Sequence, residues 1–234
     1  MNKFKQFESI IDSFQKQVEQ WIGQNSGLAQ AIEDLNIKEQ KKSVYKVENS
    51  VVFNRNLRKI RELGPKYILV ADNPGMDEQK NENLCYLIGK AGKVARNFFE
   101  NNGLVTDFES EVAVLNKTCI HTHSTADLKK LKEYKELISE TQRFMADIAI
   151  DIQMIYGSKL WITGCSELHE KGLFAQYLSR LNERHSTDAW HLKDKAYFYP
   201  HFSYGNFQKK INAVKNADPQ LTFPEALKKA GRIL

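Results

Sequence analysis

The chain has 234 residues, of which 41% are hydrophobic and 11% aromatic, a composition typical of a globular protein with a sizeable core. Its 34 lysines and arginines exceed its 29 acidic residues by five, which permits a polyanionic partner without requiring one. No apolar run is long enough to span a bilayer, no secretory signal follows the N-terminus, and three widely spaced cysteines form no disulfide framework. We therefore expect a cytoplasmic protein without a membrane segment.

The first 66 residues are predicted to form an N-terminal helical extension. Aromatic and aliphatic residues recur at spacings of three and four between Phe4 and Trp21, which predicts an amphipathic helix that packs on the core. Another helix is predicted over residues 55–63. Beyond them we expect an α/β core at residues 67–207 and a C-terminal helical tail at residues 208–234, all within one domain.

Four short apolar runs in the central part alternate with helical patterns. The runs predict buried strands at residues 67–71, 112–119, 159–163 and 196–200. Helices are predicted over residues 91–101, over 128–156, from the turn at Gly164 to about residue 180, and in the tail from Phe207 onward. The alternation predicts a three-layer α/β/α sandwich with a central, largely parallel four-stranded sheet.

Polar residues follow the predicted strands, at the sheet edge where open α/β folds bind their ligands. Asp72-Asn73-Pro74-Gly75 follows the first strand. Pro74 and Gly75 suit the central positions of a type II turn, in which Gly has a positive φ and the backbone amides can bind an anion. Asn73 either caps this turn or takes part in a site. Asn116 lies in the second strand, and His201 follows the fourth.

Two other motifs were compared with a nucleotide-binding loop and with a zinc site, and neither fits. The stretch Gly89-Lys90-Ala91-Gly92-Lys93 lacks the spacing and the Ser or Thr of a nucleotide-binding phosphate loop, although its glycines allow close approach of a ligand. Cys119, His121 and His123 alternate along an extended segment, but the sequence offers no fourth ligand for zinc. We therefore predict no metal.

Together these stretches resemble the motifs of the uracil-DNA glycosylase superfamily. Ala71-Asp72-Asn73-Pro74-Gly75 is similar to its first motif, and Gly89-Lys90-Ala91-Gly92 to the helix start of its bacterial and archaeal branch. Asn116 matches the Asn carried by a core strand, and His201-Phe202-Ser203 is similar to the final His-Pro-Ser motif. The resemblance covers about residues 67–207 and implies a uracil-DNA glycosylase-like fold.

The resemblance implies a DNA glycosylase that flips uracil or a related deaminated base out of DNA and hydrolyses its N-glycosidic bond. Asn116 would read the edge of the base, because an amide has both a donor and an acceptor. His201 would stabilise the anion that develops on the departing base. Asn73 or Asp72 would position the attacking water.

Further contacts are implied for the base and for the DNA. Base contacts would come from Pro74, Gly75, Leu87 and Tyr86. Phosphate contacts would come from Gly89, Gly92, Lys93 and Ser203, with Tyr204 as the wedge between bases. Additional basic residues expected near phosphates are Lys90, Arg96, Lys209 and Lys210. The partner would be DNA, the protein a monomer, and no cofactor would be needed.

Several positions depart from the family pattern. Ala71 replaces a Gly, Phe202 replaces a Pro, and Leu87 lies near the place of the aromatic residue that stacks on uracil. Three cysteines cannot supply the four that hold an iron–sulfur cluster in the branch with the most similar layout. An alternative is therefore a glycosylase-fold protein that binds nucleic acid or a partner without cleavage. A third reading, a hydrolase using Ser166 or Cys165, lacks the Gly-x-Ser-x-Gly elbow.

Overall fold

The structure is a computed structural model that describes residues 2–41 and 44–234, with only the backbone of Tyr204. Within these residues the α-helices are α1 (Lys3–Gln24), α2 (Leu28–Lys38), α3 (Lys90–Asn101), α4 (Phe108–Glu111), α5 (Lys135–Tyr156), α6 (Ala175–Ser186), α7 (Asn206–Ala217) and α8 (Phe223–Ala230). The strands are β1 (Tyr67–Ala71), β2 (Val112–Asn116), β3 (Lys159–Thr163), β4 (Ala196–Tyr199) and β5 (Arg232–Ile233). Short 3-10 helices lie at Arg55–Lys59, Thr125–Lys130, Lys132–Tyr134, Trp190–Lys195 and Ser203–Gly205.

The strands of the described residues form one sheet in the order β2-β1-β3-β4-β5. The first four are parallel, and β5 pairs antiparallel with β4. All residues of β1 and β2 are buried, as expected for strands covered by helices on both faces. The predicted α/β fold with a largely parallel sheet is confirmed. The predicted number of four strands is wrong, because the C-terminal tail supplies the fifth.

The strand order determines where a ligand can bind. The chain passes from β1 to β2 on one side of the sheet and then crosses to β3 on the other side of β1. Helices therefore leave β1 and β3 in different directions, which opens a crevice at their carboxyl ends. Because the first four strands are parallel, the residues that follow β1, β2, β3 and β4 all lie at this edge.

The predicted helices needed correction at four places. The helix predicted over residues 55–63 is a short 3-10 helix at Arg55–Lys59. The long helix begins at Lys135 rather than residue 128, because two 3-10 helices precede it; the first is capped by Ser124, whose hydroxyl donates to Asp127 at 2.7 Å. The helix after Gly164 begins only at Ala175. Helix α2 was missed because its buried positions, Leu28, Ile32 and Asn36, include a polar residue that weakens the apolar pattern.

The N-terminal helix packs on α5, as its apolar periodicity predicts. Its buried side chains include Phe7, Phe14 and Trp21, and the Trp21 indole donates a hydrogen bond to Glu140 of α5 at 3.0 Å. On the other side of the sheet, the ring of Phe202 stacks on Phe207 at 4.2 Å between centroids, which anchors the segment after β4 in the core. None of the helices in the described ranges combines the length and apolar content of a membrane span.

Helix α3 approaches the preceding loop through Gly92. A Cβ added at Gly92 would lie 1.5 Å from the Leu87 carbonyl oxygen. We expect Gly92→Ala to lower the free energy of unfolding by about 1–3 kcal/mol, because backbone must move to relieve the clash. Gly89→Ala is the matched control, since a Cβ there meets nothing within 4 Å. Urea unfolding of both variants measures the difference, and equal midpoints would contradict the close approach.

Candidate active site

One cavity of about 1240 Å³ opens at the carboxyl edge of the sheet. Residues following β1, β3 and β4, the start of α3 and the C-terminal tail line it. Its volume exceeds the 300–1,000 Å³ or so that a drug-sized ligand typically occupies, so it is larger than one pyrimidine needs. The cavity can therefore hold a nucleobase together with its sugar and neighbouring groups.

Most of the predicted site residues meet in this cavity. Its lining includes Asp72, Asn73, Gly75, Leu87, Gly89, Gly92, Asn116, His201 and Ser203. Pro74, Tyr86 and Lys93 are not part of the lining. The wedge proposed for Tyr204 involves a side chain outside the described part of the structure. Residues far apart in the sequence thus converge as the strand order dictates.

The Asp72 carboxylate is held by a buried lysine that the sequence analysis missed. Lys117, the residue after β2, forms an ion pair with Oδ1 of Asp72 and donates to the Thr163 carbonyl at 2.6 Å. Its side chain is fully buried, and its ammonium lies 4.9 Å from the centre of the Phe174 ring. No described residue bonds to the second carboxylate oxygen, Oδ2, so Asp72 keeps an acceptor for a ligand.

Asn73 is fixed by two threonines. Its Nδ2 donates to Thr122 Oγ1 at 3.0 Å, and its Oδ1 accepts from the Thr125 hydroxyl at 2.8 Å. Nδ2 also approaches the Pro74 carbonyl at 3.3 Å, a local turn contact. The amide is therefore held in one orientation, and one lone pair of Oδ1 is left for a ligand.

The Asn116 side chain is buried at the end of β2 and lines the cavity. Its Nδ2 has no hydrogen-bond partner among the described residues. A buried donor without a partner costs about 1–3 kcal/mol, so such groups are rare in folded proteins. Asn116 thus combines a place in the cavity lining with a buried N–H donor that no described group satisfies.

The protonation of His201 follows from its contacts. The backbone N–H of Ser203 donates to Nδ1 at 3.1 Å, and Ser203 Oγ lies 2.8 Å from the same nitrogen. Nδ1 is therefore an acceptor, and the ring proton is on Nε2. Burial lowers the pKa of His201; the Asp72 carboxylate opposes this shift and the Lys117 ammonium adds to it. A neutral imidazole with an Nε2–H donor results.

The turn after Asn73 differs from the predicted one. Gly75 does not have the positive φ that a type II turn requires. Its N–H donates to Glu78 Oε2 at 3.0 Å and is not free to bind an anion. Glu78 also accepts from the Ile88 N–H at 3.2 Å. Burial raises the pKa of Glu78, and these backbone donors partly offset that shift.

A buried histidine forms a hydrogen bond with this turn. His121 Nδ1 lies 2.9 Å from the Pro74 carbonyl, to which it must donate, and Nε2 accepts from the Tyr45 hydroxyl at 2.8 Å. Burial lowers the pKa of His121 to about 4. Both ring nitrogens are therefore engaged. Pro74 contributes its carbonyl to this hydrogen bond rather than a surface to the cavity.

The expected aromatic contact to a base is absent from Tyr86. Its ring is buried, its hydroxyl donates to the Val52 carbonyl, and its N–H donates to Asn54. The neighbouring Leu87 lines the cavity instead, with an unusual φ of 57°. A positive φ is costly for a residue with a Cβ, so the strained residue of this pair is the one that lines the cavity.

Four basic residues in the described part of the chain line the cavity. They are Lys90 at the start of α3 and Lys210, Lys229 and Arg232 from the C-terminal tail; Lys229 also forms an ion pair with Asp218 at 3.4 Å. Lys93 and Lys209 are exposed and lie outside the lining. Arg96, expected near phosphate, forms an ion pair with Glu109 at 2.8 Å instead. Two of the predicted basic residues, Lys90 and Lys210, thus line the cavity, and its four cations outnumber its two carboxylates, Asp72 and Glu78, which favours an anionic ligand.

The third reading, a nucleophile after β3, receives little support. Cys165 and Ser166 line the cavity, but the Cys165 thiol donates to the Tyr199 carbonyl at 3.2 Å. Burial raises the pKa of Cys165, which disfavours the reactive thiolate.

Sequence reasoning missed six contributors: Lys117, Glu78, Lys229, Arg232 and the two threonines that hold Asn73. Lys117 had a detectable signal, since a charged residue directly follows a fully apolar strand and Asn116. The others act through contacts between distant segments.

Fold and site define an α/β protein with a mostly parallel five-stranded sheet and a polar, basic cavity at its carboxyl edge. Comparison of the chain with protein-family models, curated proteins and solved structures found no match.

The burial and hydrogen bonds of His121 predict a specific pH dependence of the free energy of unfolding. Below pH 6.5 the unfolded chain protonates this histidine, whereas the folded protein keeps it neutral down to about 4. Stability from His121 is therefore present above pH 6.5 and falls by about 3 kcal/mol as the pH drops to about 4. We expect the difference in unfolding free energy between wild type and His121→Asn to shrink by that amount in urea titrations. Parallel pH profiles would contradict the assignment.

Proposed function

We propose that this protein is a DNA glycosylase that hydrolyses the N-glycosidic bond of uracil or a related deaminated base. The observation that carries the proposal is the convergence of an unpartnered Asn116 donor, the His201 Nε2–H and the Asp72 carboxylate on one cavity. A departing base anion needs hydrogen-bond donors, and an attacking water needs an acceptor for its proton. The motif resemblance supports the same reaction.

Base recognition rests on Asn116. Its Nδ2 donor pairs with a carbonyl oxygen of uracil, while its Oδ1 accepts from the adjacent ring N–H. Cytosine presents an amino donor at the corresponding position, which leaves the Asn116 donor unsatisfied. Rejecting a base in this way costs about 1–3 kcal/mol for each unpaired buried group.

In bond cleavage, different residues act on the departing base and on the attacking water. The bond between the base nitrogen and the sugar C1′ breaks, and its electron pair moves onto the base. The His201 Nε2–H donates to a base carbonyl oxygen and stabilises that charge. Water forms the new bond to C1′ and transfers its proton to the Asp72 carboxylate. The base leaves as an anion and takes up a proton from solvent, and Asp72 releases its proton to solvent, so the products are the free base and an abasic site.

Asp72 rather than Asn73 takes the water proton in this scheme. A carboxylate can accept a proton, whereas the Asn73 amide is neutral and already bonds to Thr122 and Thr125. Asn73 holds the water through its remaining lone pair.

The proposal also includes the detailed fold type, the cellular compartment and the oligomeric state. We infer a three-layer sandwich of the uracil-DNA glycosylase type, acting as a cytoplasmic monomer on DNA. Lys90, Lys210 and Arg232 line the cavity and would contact phosphates beside a flipped base. Ser203 orients His201 rather than serving as a free phosphate donor.

A second candidate is binding without cleavage. Leu87 lines the cavity where an aromatic ring would stack on the base, which weakens the hold on a flipped nucleotide. Fold alone does not decide between the two candidates.

We expect the protein to release uracil from a uracil-containing oligonucleotide, detected as strand scission after alkali. His201→Ala, Asn116→Ala and Asp72→Asn should each lower kcat/KM about 100-fold or more, because each removes a group that acts on the reacting atoms. His191→Ala is the matched control, since His191 is exposed and lies outside the cavity lining. Binding without scission in the wild type would favour the second candidate. Hydrolysis of a free nucleoside instead of DNA would refute the DNA substrate.

The cavity lysines predict a salt-dependent affinity. Lys90→Gln and Lys210→Gln should weaken binding of a single strand and reduce the slope of log affinity against log salt by about 0.7 for each lost phosphate contact. Lys93→Gln is the control, because Lys93 is on the same helix as Lys90 but outside the lining. Fluorescence anisotropy at several salt concentrations measures the slopes, and identical slopes in all variants would contradict a phosphate path across the cavity.

A further inference from the structure

We propose that Lys117 is the positioning residue of this site, fixing the Asp72 carboxylate so that Oδ2 is presented to the attacking water. The inference rests on the proposed function, in which Asp72 receives the water proton. It concerns a residue that the motif resemblance does not include.

The contacts of Lys117 suit such a role. Its side chain has no exposed surface, and its ammonium bonds to Asp72 Oδ1 and to the Thr163 carbonyl. A buried ammonium is unfavourable unless it is paired and hydrogen-bonded, so its position is confined to where these partners are. From the end of β2 the side chain reaches across the end of β1 to the Thr163 carbonyl at the end of β3.

The backbone around the ion pair is equally constrained. The Lys117 N–H lies 2.9 Å from the Ala71 carbonyl and 3.0 Å from the Asp72 carbonyl, which ties the end of β2 to the end of β1. Gly164 has a φ of +78°, and a Cβ there would lie 2.6 Å from Asp72 Oδ1. Gly164 therefore leaves the space that the carboxylate occupies, and Lys117 binds the carboxylate oxygen that lies nearest to Gly164.

Lys117 acts through Asp72 and not on the substrate. It does not line the cavity, and its amine has no exposed surface with which to attack C1′. Its charge nevertheless reaches the site, because it contributes to lowering the pKa of His201 while Asp72 raises that pKa. The His201 ring is thus a reporter of both members of the pair.

Kinetics of Lys117→Met, Asp72→Asn and the double variant test the proposal. We expect Lys117→Met to lower kcat about 100-fold, as misplaced catalytic groups do, with KM changed less than about threefold. Because Lys117 works through Asp72, the double variant should be no slower than Asp72→Asn alone. The double variant also carries no uncompensated buried charge, which guards against loss of folding. Lys66→Met is the control: it breaks an ion pair with Glu111 just before β1 and should leave kcat unchanged.

A second measurement does not depend on activity. NMR titration of His201 should show a higher pKa in Lys117→Met and a lower pKa in Asp72→Asn than in the wild type, with no change in Lys66→Met. Three results would overturn the proposal. One is a loss of kcat in the double variant equal to the product of the losses in the two single variants. The others are an unchanged His201 titration and a borohydride-trapped adduct of Lys117 with abasic DNA. A wild type without glycosylase activity would refute the proposed function, whereas the titration would still report whether Lys117 and Asp72 act on His201.

Discussion

The buried ammonium of Lys117 connects the ends of three parallel strands. It follows β2, forms an ion pair with Asp72 after β1, and bonds to the carbonyl of Thr163 at the end of β3. Parallel strands place these atoms at one edge, but only a charged group between them fixes the carboxylate there. Because the desolvated ammonium needs its partners, the strand ends cannot separate without exposing an unpaired charge. The geometry of the candidate site depends on this contact.

Around this ion pair the site separates two tasks electrostatically. The Asp72 carboxylate can accept a proton. His201 and Asn116 are neutral and carry N–H donors, which in the proposed reaction stabilise the charge that develops on the base. Ser203 fixes the histidine tautomer through Nδ1, so no rearrangement is needed before Nε2 donates. Held donors of this kind are worth more in a buried cavity than in water.

The sequence predicted the frame of this site better than its contacts. The bounds of β1 and β3 were correct because fully buried parallel strands appear as continuous apolar runs, and the strand-end rule located Asn116 and His201. Which of two neighbours lines the cavity was not predictable, because the sequence does not show the positive φ of Leu87 or the burial of Tyr86 in the core. Lys117 was missed because lysines are rarely buried without partners, and its partners come from other strands.

The C-terminal tail bears directly on the nature of the substrate. Predicted only as helix, it adds β5 to the sheet and brings Arg232 to the cavity, with its guanidinium 4.9 Å from the centre of the Phe198 ring. A base alone would need neither the volume of about 1240 Å³ nor cations on the tail side. Under the proposed function, a base still attached to its strand would use both, because its phosphates must be neutralised where the chain leaves the cavity. The tail cations are therefore the part of the site in which the proposed reaction on DNA differs from one on a free nucleoside.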